Sequence, residues 1–180
     1  ICGSSYTLYL VLSESNYKLV YCYSNQKPNP LFVNIGDQIP VALFGGRETS
    51  GVINKNGGII ILTKSIFKSP KNRIDESFLP KNDRPIKLAC CDEFVIALAK
   101  SGRVYESKIT ESNDIKFEEV EELSGENIVD ISGTNDFCFV VLENGQIMGR
   151  GENQNCKLGL PEKIESTSKF TMIGSLKNHN

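Results

Sequence analysis

One pattern recurs four times along the 180-residue chain. Each copy contains small residues, a short polar stretch, an apolar run, a tight turn and the start of a second apolar run. The anchor residues that we take as equivalent are Gly3, Gly45, Cys91 and Gly133, which are spaced by 42, 46 and 42 residues. A period in the forties predicts a propeller, solenoid or array, in which each repeat buries its faces only against its neighbours.

Each repeat is predicted to contain a β-hairpin. Asn56-Gly57 and Asn144-Gly145 lie between apolar runs, and Ser101-Gly102 holds the matching place in the third copy. Asn-Gly between apolar runs is a strong hairpin signal, because a two-residue turn of the favoured hand needs a positive φ at both central positions. In the first copy a longer turn around Ser13 to Tyr17 joins two β-rich runs. We therefore expect an almost all-β chain.

Helical periodicity is scarce. The stretch from Ile115 to Leu123 is the best exception, and it is equally compatible with a strand that has a charged outer face. With 39% hydrophobic and 23% charged residues, the composition is that of a compact protein, and neither a membrane-spanning run nor a signal-peptide pattern is present in the sequence.

The formal net charge of −2 argues against a general nucleic-acid binder, whose affinity would depend on a basic surface. Charge is nevertheless uneven, and acidic residues gather between Glu118 and Glu126. A solvated face is the usual reason for such runs. The alternative is that the basic stretch after the second hairpin is a loop that docks an acidic protein partner. Its candidate residues are Lys64, Lys68, Lys71, Arg73, Lys81 and Arg84.

The six cysteines show no Cys-x-x-Cys spacing and are too few for a disulfide-framed secreted module. Cys90 and Cys138 lie in apolar runs, which indicates buried free thiols in a reducing intracellular compartment, the cytoplasm or the nucleus. Zinc sites need paired ligands, and the single histidine, His179, is in the tail. We expect no metal site and no cofactor.

No catalytic constellation is evident in the sequence. A histidine-dependent hydrolase has no candidate base apart from His179, and no Gly-x-Ser-x-Gly motif occurs. The glycine pairs at Gly45-Gly46 and Gly57-Gly58 lack the endings of phosphate-binding loops and are typical of turns. Glu118 and Glu119 are adjacent, and adjacent residues of a strand point to opposite faces. No catalytic residue is predicted.

Two motifs resemble the repeat of the regulator of chromosome condensation (RCC1) family. The first is Ile1-Cys2-Gly3-Ser4-Ser5-Tyr6-Thr7-Leu8-Tyr9-Leu10, in which Tyr6 stands at the usual histidine. The second runs from Glu143 to Leu160 and resembles the family's Asn-Gly-x-Val-x-x-x-Gly-x-Asn followed by Gln-Leu-Gly-Leu. A weaker echo of the second motif lies at Tyr21 to Gln26. The resemblance spans nearly the whole chain.

The middle repeats depart from the family pattern. Cys91 replaces the anchor glycine, and Glu48, Phe94 and Asp136 are aligned with the usual histidine. The second and third copies lack the Gly-x-Asn and Leu-Gly-Leu segment, and stretches resembling inserts run from Thr63 to Pro85 and from Glu106 to Glu126. Burial pattern and turns suffice to keep a fold, whereas an inherited binding surface needs its own residues.

The resemblance implies an all-β, RCC1-like β-propeller. Residues 1–180 would form about four repeats of a ring that usually closes with seven four-stranded blades. The chain begins at an anchor and ends in the run Phe170 to Leu176, so we expect a part of a larger propeller. The missing blades would come from the parent chain or from a partner; a dimer or a small ring are the other arrangements.

Three function classes follow from the resemblance. The first is a non-catalytic interaction domain that presents its loops to protein partners. The second is a guanine nucleotide exchange factor for a Ran-type small GTPase, which works through a projecting wedge that no segment here matches. The third is an enzyme with a site in the central channel, which would need polar residues on the innermost strands. We expect the interaction domain, because fold alone does not confer activity.

Overall fold

The computed structural model describes residues 6–13, 16–23, 31–35, 39–63, 76–110 and 115–175, and only the backbone of 6–34 and 174–175 within these ranges. Almost all regular structure in the described residues is β. The strands are β1 (Tyr6–Ser13), β2 (Asn16–Tyr23), β3 (Leu31–Asn34), β4 (Pro40–Gly45), β5 (Thr49–Asn54), β6 (Ile59–Thr63), β7 (Pro85–Cys90), β8 (Phe94–Ala99), β9 (Val104–Lys108), β10 (Glu118–Glu119), β11 (Ile128–Thr134), β12 (Phe137–Leu142), β13 (Gln146–Glu152) and β14 (Ser166–Ser175).

These strands form four antiparallel sheets over the described ranges, and chain neighbours pair with each other throughout. Sheet 1 has the order β1-β2-β3, sheet 2 β4-β5-β6, sheet 3 β7-β8-β9-β10 and sheet 4 β11-β12-β13-β14. Such an up-and-down sheet for each repeat is the unit that the sequence period predicts.

The described ranges also contain three short 3-10 helices, at Pro80–Asn82, Glu121–Leu123 and Gln154–Cys156. The ambiguous stretch from Ile115 to Leu123 contains both the short strand β10 and one of these helices. It buries Phe117, Val120 and Leu123 against sheet 3 and sheet 4, so the second insert-like stretch supplies the outer edge of sheet 3.

The predicted hairpins are present. In sheet 1 the pairing extends to Ser13 and Asn16, so the predicted longer turn from Ser13 to Tyr17 was wrong. In sheets 2, 3 and 4 the turns differ from the predicted two-residue type. In sheet 2 the backbone N–H of Gly57 donates to Asn54 O (3.0 Å), and that of Asn54 donates to Gly58 O (2.9 Å). Gly57, Gly102 and Gly145 have φ near +85°, whereas the residues before them are not in the positive-φ region. The connections are therefore three-residue loops that end in a left-handed glycine, which needs no second positive φ.

Strand pairing moves two of the predicted anchors by one residue. The N–H of Gly46 donates to Thr49 O (2.7 Å), as that of Cys91 donates to Phe94 O (3.0 Å). In sheet 4, Thr134 is paired with Phe137. Gly46 and Thr134 are thus equivalent to Cys91, in place of Gly45 and Gly133.

The same shift changes the residues aligned with the family's histidine. Thr49 and Phe137 take that place in the second and fourth repeats, in place of Glu48 and Asp136, and Phe94 keeps it in the third. The second and third repeats also become equal in length from the anchor to the turn glycine, because Gly46 to Gly57 and Cys91 to Gly102 span the same number of residues.

Sheets 2, 3 and 4 are stacked face to face, and β8 lies at the centre of the stack. Val95, Ala97 and Ala99 pack with Ile53 and Ile59 of sheet 2. On the opposite face of the same strand, Ile96 and Leu98 pack with Ile131, Cys138 and Val140 of sheet 4. A strand buried on both faces is expected where one sheet lies between two others. The predicted packing of the Ile96 to Leu98 run between repeats is confirmed.

Candidate partner-binding surface

The first strands of sheets 2, 3 and 4 each carry a β-bulge at the same place. Pairing passes from Pro40 to Ala42 in β4, from Pro85 to Lys87 in β7 and from Ile128 to Asp130 in β11. A bulge leaves one residue outside the pairing and turns its side chain in a new direction. The residues left over are Val41, Ile86 and Val129.

We call Val41, Ile86 and Val129 the bulge row. Their exposed fractions are 57%, 51% and 51%, although each is a β-branched apolar residue. The strands β4, β7 and β11 are neighbours in the stack. A single exposed aliphatic residue is common on protein surfaces, but three in equivalent positions on adjacent strands make a shared apolar feature at one end of the stack.

One backbone hydrogen bond recurs beside each bulge. The N–H of Lys55 donates to Ile39 O (2.7 Å), that of Lys100 to Arg84 O (2.8 Å), and that of Glu143 to Asn127 O (2.9 Å). In each sheet this bond joins the residue after the second strand to the residue just before the first strand. The identity of these paired residues therefore determines the charge around each bulge.

The surroundings of Val41 and Ile86 are basic. Lys55, Arg84 and Lys100 are exposed, and none of the three forms an ion pair with a described residue. Arg84 Nη2 donates to Lys55 O at 3.0 Å, which joins sheet 3 to sheet 2. We define the strand-end surface as the apolar and cationic residues that meet at this end of sheets 2 and 3. They are Ile39, Val41, Lys55, Arg84, Ile86 and Lys100.

The surroundings of Val129 differ. Its neighbour Asp130 forms an ion pair with Lys87 at 2.5 Å, and Glu143 is bonded to Asn127 both through its backbone and through its carboxylate (2.8 Å). The positively charged surroundings of the bulge row are thus limited to sheets 2 and 3.

The opposite end of the first strands is acidic. The turns after them carry Glu48, Asp92, Glu93 and Asp136. Burial raises the pKa of the Asp92 carboxyl; Arg47, at 3.5 Å, lowers it, and the three other carboxylates raise it again, so that the pKa lies above its usual range. Arg47 pairs with Asp92 and Lys157 with Asp136 (3.2 Å), so four carboxylates and two cations meet here, and the sign of their net charge is opposite to that of the strand-end surface.

The structure places the predicted basic residues as follows. Lys64, Lys68, Lys71 and Arg73 lie outside the described residues. Lys81 pairs with Glu119 at 2.7 Å, so one member of the basic stretch contacts the acidic run of the same chain. Arg84 lies on the strand-end surface.

Sequence reasoning missed the bulge row and the two lysines beside it. The available signal was a pair of adjacent apolar residues, Pro40-Val41, Pro85-Ile86 and Ile128-Val129, at the same distance before Gly46, Cys91 and Thr134. Two consecutive apolar residues break the alternation of a half-buried strand, which is a pattern that a bulge produces.

The family-like motif in the fourth repeat has a structural role. Asn153 is 2% exposed, and its Nδ2 donates to Leu160 O (3.2 Å), Pro161 O (3.3 Å) and Ile164 O (2.7 Å). Its Oδ1 accepts from the N–H of Leu158 (3.0 Å). One buried amide thus holds the whole connection between β13 and β14.

Arg150 joins sheet 3 to sheet 4. Its guanidinium stacks 4.9 Å from the ring of Phe94 and 4.8 Å from that of Phe170, and it forms an ion pair with Glu106. Burial lowers the pKa of Arg150, but the hydrogen bond to Glu106 and the nearby charges, including those of Glu106 and Glu122, together raise the pKa above its usual value. A groove of about 800 Å³ beside it is lined by both signs of charge, including Glu122 and Lys169.

The described thiols fit a structural role. Cys90, Cys91 and Cys138 are buried and free. Burial raises the pKa of Cys90 and of Cys138 to about 12, and it also raises that of Cys91. Neutral thiols are poor nucleophiles and poor metal ligands. Across the described ranges, no group of three histidine, cysteine, aspartate or glutamate side chains is placed to hold a metal ion.

A search for membrane-spanning helices, limited to the described residues, found none of sufficient length and apolar character.

No family model and no curated protein matches the sequence. Solved structures do match. Human WBSCR16 superposes with a TM-score of 0.71 at 14% identity, over 96% of this chain and 52% of that one. Yeast RCC1 (Prp20) bound to Kap60 gives a TM-score of 0.68 at 11% identity, over 99% of this chain and 51% of that one.

Prp20p from Saccharomyces cerevisiae, described with its binding properties to Gsp1p and histones, gives a TM-score of 0.66 at 12% identity, over 98% of this chain and 52% of that one. The chain thus spans about half the length of these proteins. The predicted RCC1-like all-β propeller fold is confirmed, and the described sheets correspond to about half of such a propeller.

Proposed function

We propose that this chain is a non-catalytic β-propeller domain that binds a protein partner through the bulge row and its surroundings. The observation that carries the proposal is the recurrence of an exposed β-branched residue at one bulge position in three successive sheets. Solved proteins of the same fold are described with protein partners, namely Kap60 for yeast RCC1 and Gsp1p and histones for Prp20p.

The energy available from the bulge row is that of a small hot spot. Burying a whole valine or isoleucine side chain contributes about 1.5–3 kcal/mol, so covering the exposed half of three such side chains contributes about 2–4 kcal/mol. That amount is enough to determine where a partner sits, while the rest of the affinity must come from polar contacts around the row.

We also propose that the propeller continues beyond sheet 4. On β12, Cys138, Val140 and Leu142 are buried against sheet 3, whereas Phe137 and Phe139 on the other face are only half-buried. In β8, by contrast, both faces are covered. A further blade, from the parent chain or from a partner, would complete the burial of this face, and a seven-bladed ring is the arrangement that the resemblance implies.

A reducing compartment, the cytoplasm or the nucleus, is the location that we propose. Its support is the set of buried free thiols at Cys90, Cys91 and Cys138.

Crosslinking followed by affinity capture from native lysate tests the interaction. The test variant replaces Val41, Ile86 and Val129 with threonine, which keeps β-branching and removes a methyl surface. The control replaces Phe78 and Met172, two other exposed apolar residues that lie outside the bulge row, with threonine. We expect the test variant to lose specific partners that the control and the unmodified chain retain, with melting temperatures unchanged. Identical partner sets for all three proteins would refute a binding role for the row.

Guanine nucleotide exchange on a Ran-type GTPase is the second candidate. Its support is the similarity to Prp20p, which is described with its binding to Gsp1p. The assay follows the release of a fluorescent guanine nucleotide from the GTPase. Faster release with the chain would establish exchange; an unchanged rate at saturating chain concentration would remove this candidate and leave the interaction domain.

A further inference from the structure

The strand-end surface combines apolar side chains with three cations that form no ion pair with a described residue, and this inference about its partner rests on the proposed function. Three hydrogen bonds run in series through its cationic residues. Lys100 N–H donates to Arg84 O, Arg84 Nη2 donates to Lys55 O, and Lys55 N–H donates to Ile39 O. Two backbone hydrogen bonds and the guanidinium of Arg84 therefore bring these three residues together at the boundary between sheets 2 and 3.

The position of Arg84 is supported by packing as well as by its hydrogen bond. A side chain at Gly57 would contact Arg84 Cγ at 3.7 Å, so the aliphatic part of the arginine lies over the turn of sheet 2. Holding like charges close together is unfavourable unless solvent or an opposite charge compensates them. The surface is thus preorganised for negative charge.

The neighbouring carboxylate of Asp83 forms no ion pair with these three cations. Its Oδ2 accepts hydrogen bonds from the hydroxyls of Ser101 and Tyr105 and lies 4.0 Å from Arg103, and its Oδ1 accepts a hydrogen bond from the backbone N–H of Arg84 at 2.9 Å. Its side chain is only 9% exposed, and its oxygens are occupied by these donors.

We propose that the strand-end surface docks an acidic protein segment in which apolar residues alternate with carboxylates. The carboxylates pair with Lys55, Arg84 and Lys100, and the apolar side chains cover Val41 and Ile86. Docking ends at sheet 4, where Asp130 and Glu143 flank Val129, and the acidic turns at the other end of the stack repel the same segment.

A nucleic acid would also carry negative charge, but the surface favours a protein. The exposed groups between the cations are aliphatic, whereas single-stranded nucleic acid is bound by aromatic side chains on which bases stack. The whole chain has a net charge of −2, which disfavours a polyanion that would extend over its surface.

Fluorescence anisotropy with defined probes tests the proposal. The probes are labelled peptides of equal length that alternate leucine with glutamate, glutamine or lysine, and a labelled single-stranded oligothymidine. We expect the glutamate peptide alone to bind, and its affinity to fall as salt shortens the Debye length from about 30 Å at 0.01 M to about 8 Å at 0.15 M.

Charge variants locate the site. Lys55→Glu, Arg84→Glu and Lys100→Glu together should weaken binding of the glutamate peptide by about tenfold to a hundredfold, because three exposed ion pairs of up to about 1 kcal/mol each become repulsive. The control variant carries Lys116→Glu, Lys163→Glu and Lys169→Glu, which make the same change of net charge on other exposed surfaces. It should bind within about twofold of the unmodified chain. A variant with glutamine at the three test positions should lose an intermediate amount of affinity for the glutamate peptide. It keeps the test valid if the charge-reversed variant fails to fold.

Three results would overturn the proposal. They are equal binding of the glutamine peptide, preferential binding of the oligothymidine, and no binding of the glutamate peptide. None of them decides the proposed function, which depends on partners lost when the bulge row is changed to threonine. A partner that is lost with the threonine variant but retained by the charge variants would leave the interaction domain standing and remove the acidic segment.

Discussion

A Cβ atom on Gly46 would lie 2.0 Å from the carbonyl oxygen of Cys90, in the first strand of the next sheet. The two sheets therefore meet through backbone, with no space for a side chain. Cys91, the equivalent of Gly46 in the next repeat, makes a looser contact, in which its Sγ is 3.6 Å from Phe137 O.

Gly46→Ala is expected to destabilise the chain. The added methyl group must displace the backbone of β7, which overpacks the sheet boundary and costs about 2–3 kcal/mol. Gly125→Ala is the control, because no atom lies within 4 Å of a Cβ there and only the positive φ of +87° is penalised, by about 1 kcal/mol. Urea denaturation measures both, and equal losses would show that the boundary can widen freely.

Leu98→Ala should remove a central contact between sheets 3 and 4. Leu98 is 1% exposed and packs in the same cluster as Ile131 and Val140, so truncation leaves a cavity and costs about 2–5 kcal/mol. Ile86→Ala, at an exposed bulge, should cost less than about 1 kcal/mol. Thermal unfolding checks the pair. A shift in melting temperature for Leu98→Ala no larger than that for Ile86→Ala would contradict the stacked arrangement.

Asn153→Ala should release the connection between β13 and β14. Three carbonyl oxygens and the N–H of Leu158 lose their partner in a buried site, which costs about 1–3 kcal/mol. Hydrogen exchange should speed up at Leu158 before it changes in β8. Asn127→Ala, which removes an exposed bond to Glu143, serves as the control. Unchanged hydrogen exchange at Leu158 would show that Asn153 does not hold this connection in place.

Alkylation should distinguish buried from exposed thiols. Cys156 is exposed and is expected to react with iodoacetamide in the folded chain, whereas Cys90, Cys91 and Cys138 should react only on unfolding. Mass spectrometry of digested samples taken over time gives the rate at each cysteine. Equal rates at Cys138 and Cys156 would mean that the core opens readily.

The same thiols make stability depend on pH. The pKa of Cys90 rises from 9.0 to about 12 on burial. Below pH 9 both states keep the proton; from there to about pH 12 the unfolded chain releases it and the folded chain does not, so the free energy of unfolding falls as pH rises. Between pH 9 and 10 the loss due to Cys90 is about 1 kcal/mol, because the thiol of the unfolded chain is already half ionised at pH 9. Denaturation curves at pH 9 and pH 10 measure this effect. The free energy of unfolding of Cys90→Ala should decrease between these two pH values by about that amount less than the free energy of unfolding of the unmodified chain.

The sequence was most informative where a local signal determines a local structure. Asn56-Gly57 and Asn144-Gly145 predicted two hairpins correctly, because a glycine with positive φ ends such loops whatever surrounds them. The period predicted stacked β units for the same reason. The turn type was wrong, since the choice between a two-residue and a three-residue loop depends on strand pairing that the sequence does not display.

The anchors failed by one residue where two small residues are adjacent. Gly45 and Gly46 are equally good anchors in sequence, and Gly133 stands beside Thr134. Only the pairing of the strands shows that Gly46 and Thr134 are the residues equivalent to Cys91. The same limitation hid the bulge row, because a bulged residue is recognised by the absence of a partner across the sheet. Of the two predicted basic residues that the structure describes, Arg84 lies on the strand-end surface and Lys81 does not. Lys55 and Lys100 come from turns whose neighbours are far away in sequence.

The opposite charges at the two ends of the stack have a consequence for encounter. Cations at the start of the first strands and carboxylates in the turns after them give the molecule an electric dipole directed along these strands. A charged partner still in solution experiences a torque as well as an attraction, so that it is rotated into alignment while the two surfaces are apart. We therefore expect the association rate to depend on ionic strength more strongly than the lifetime of the complex does.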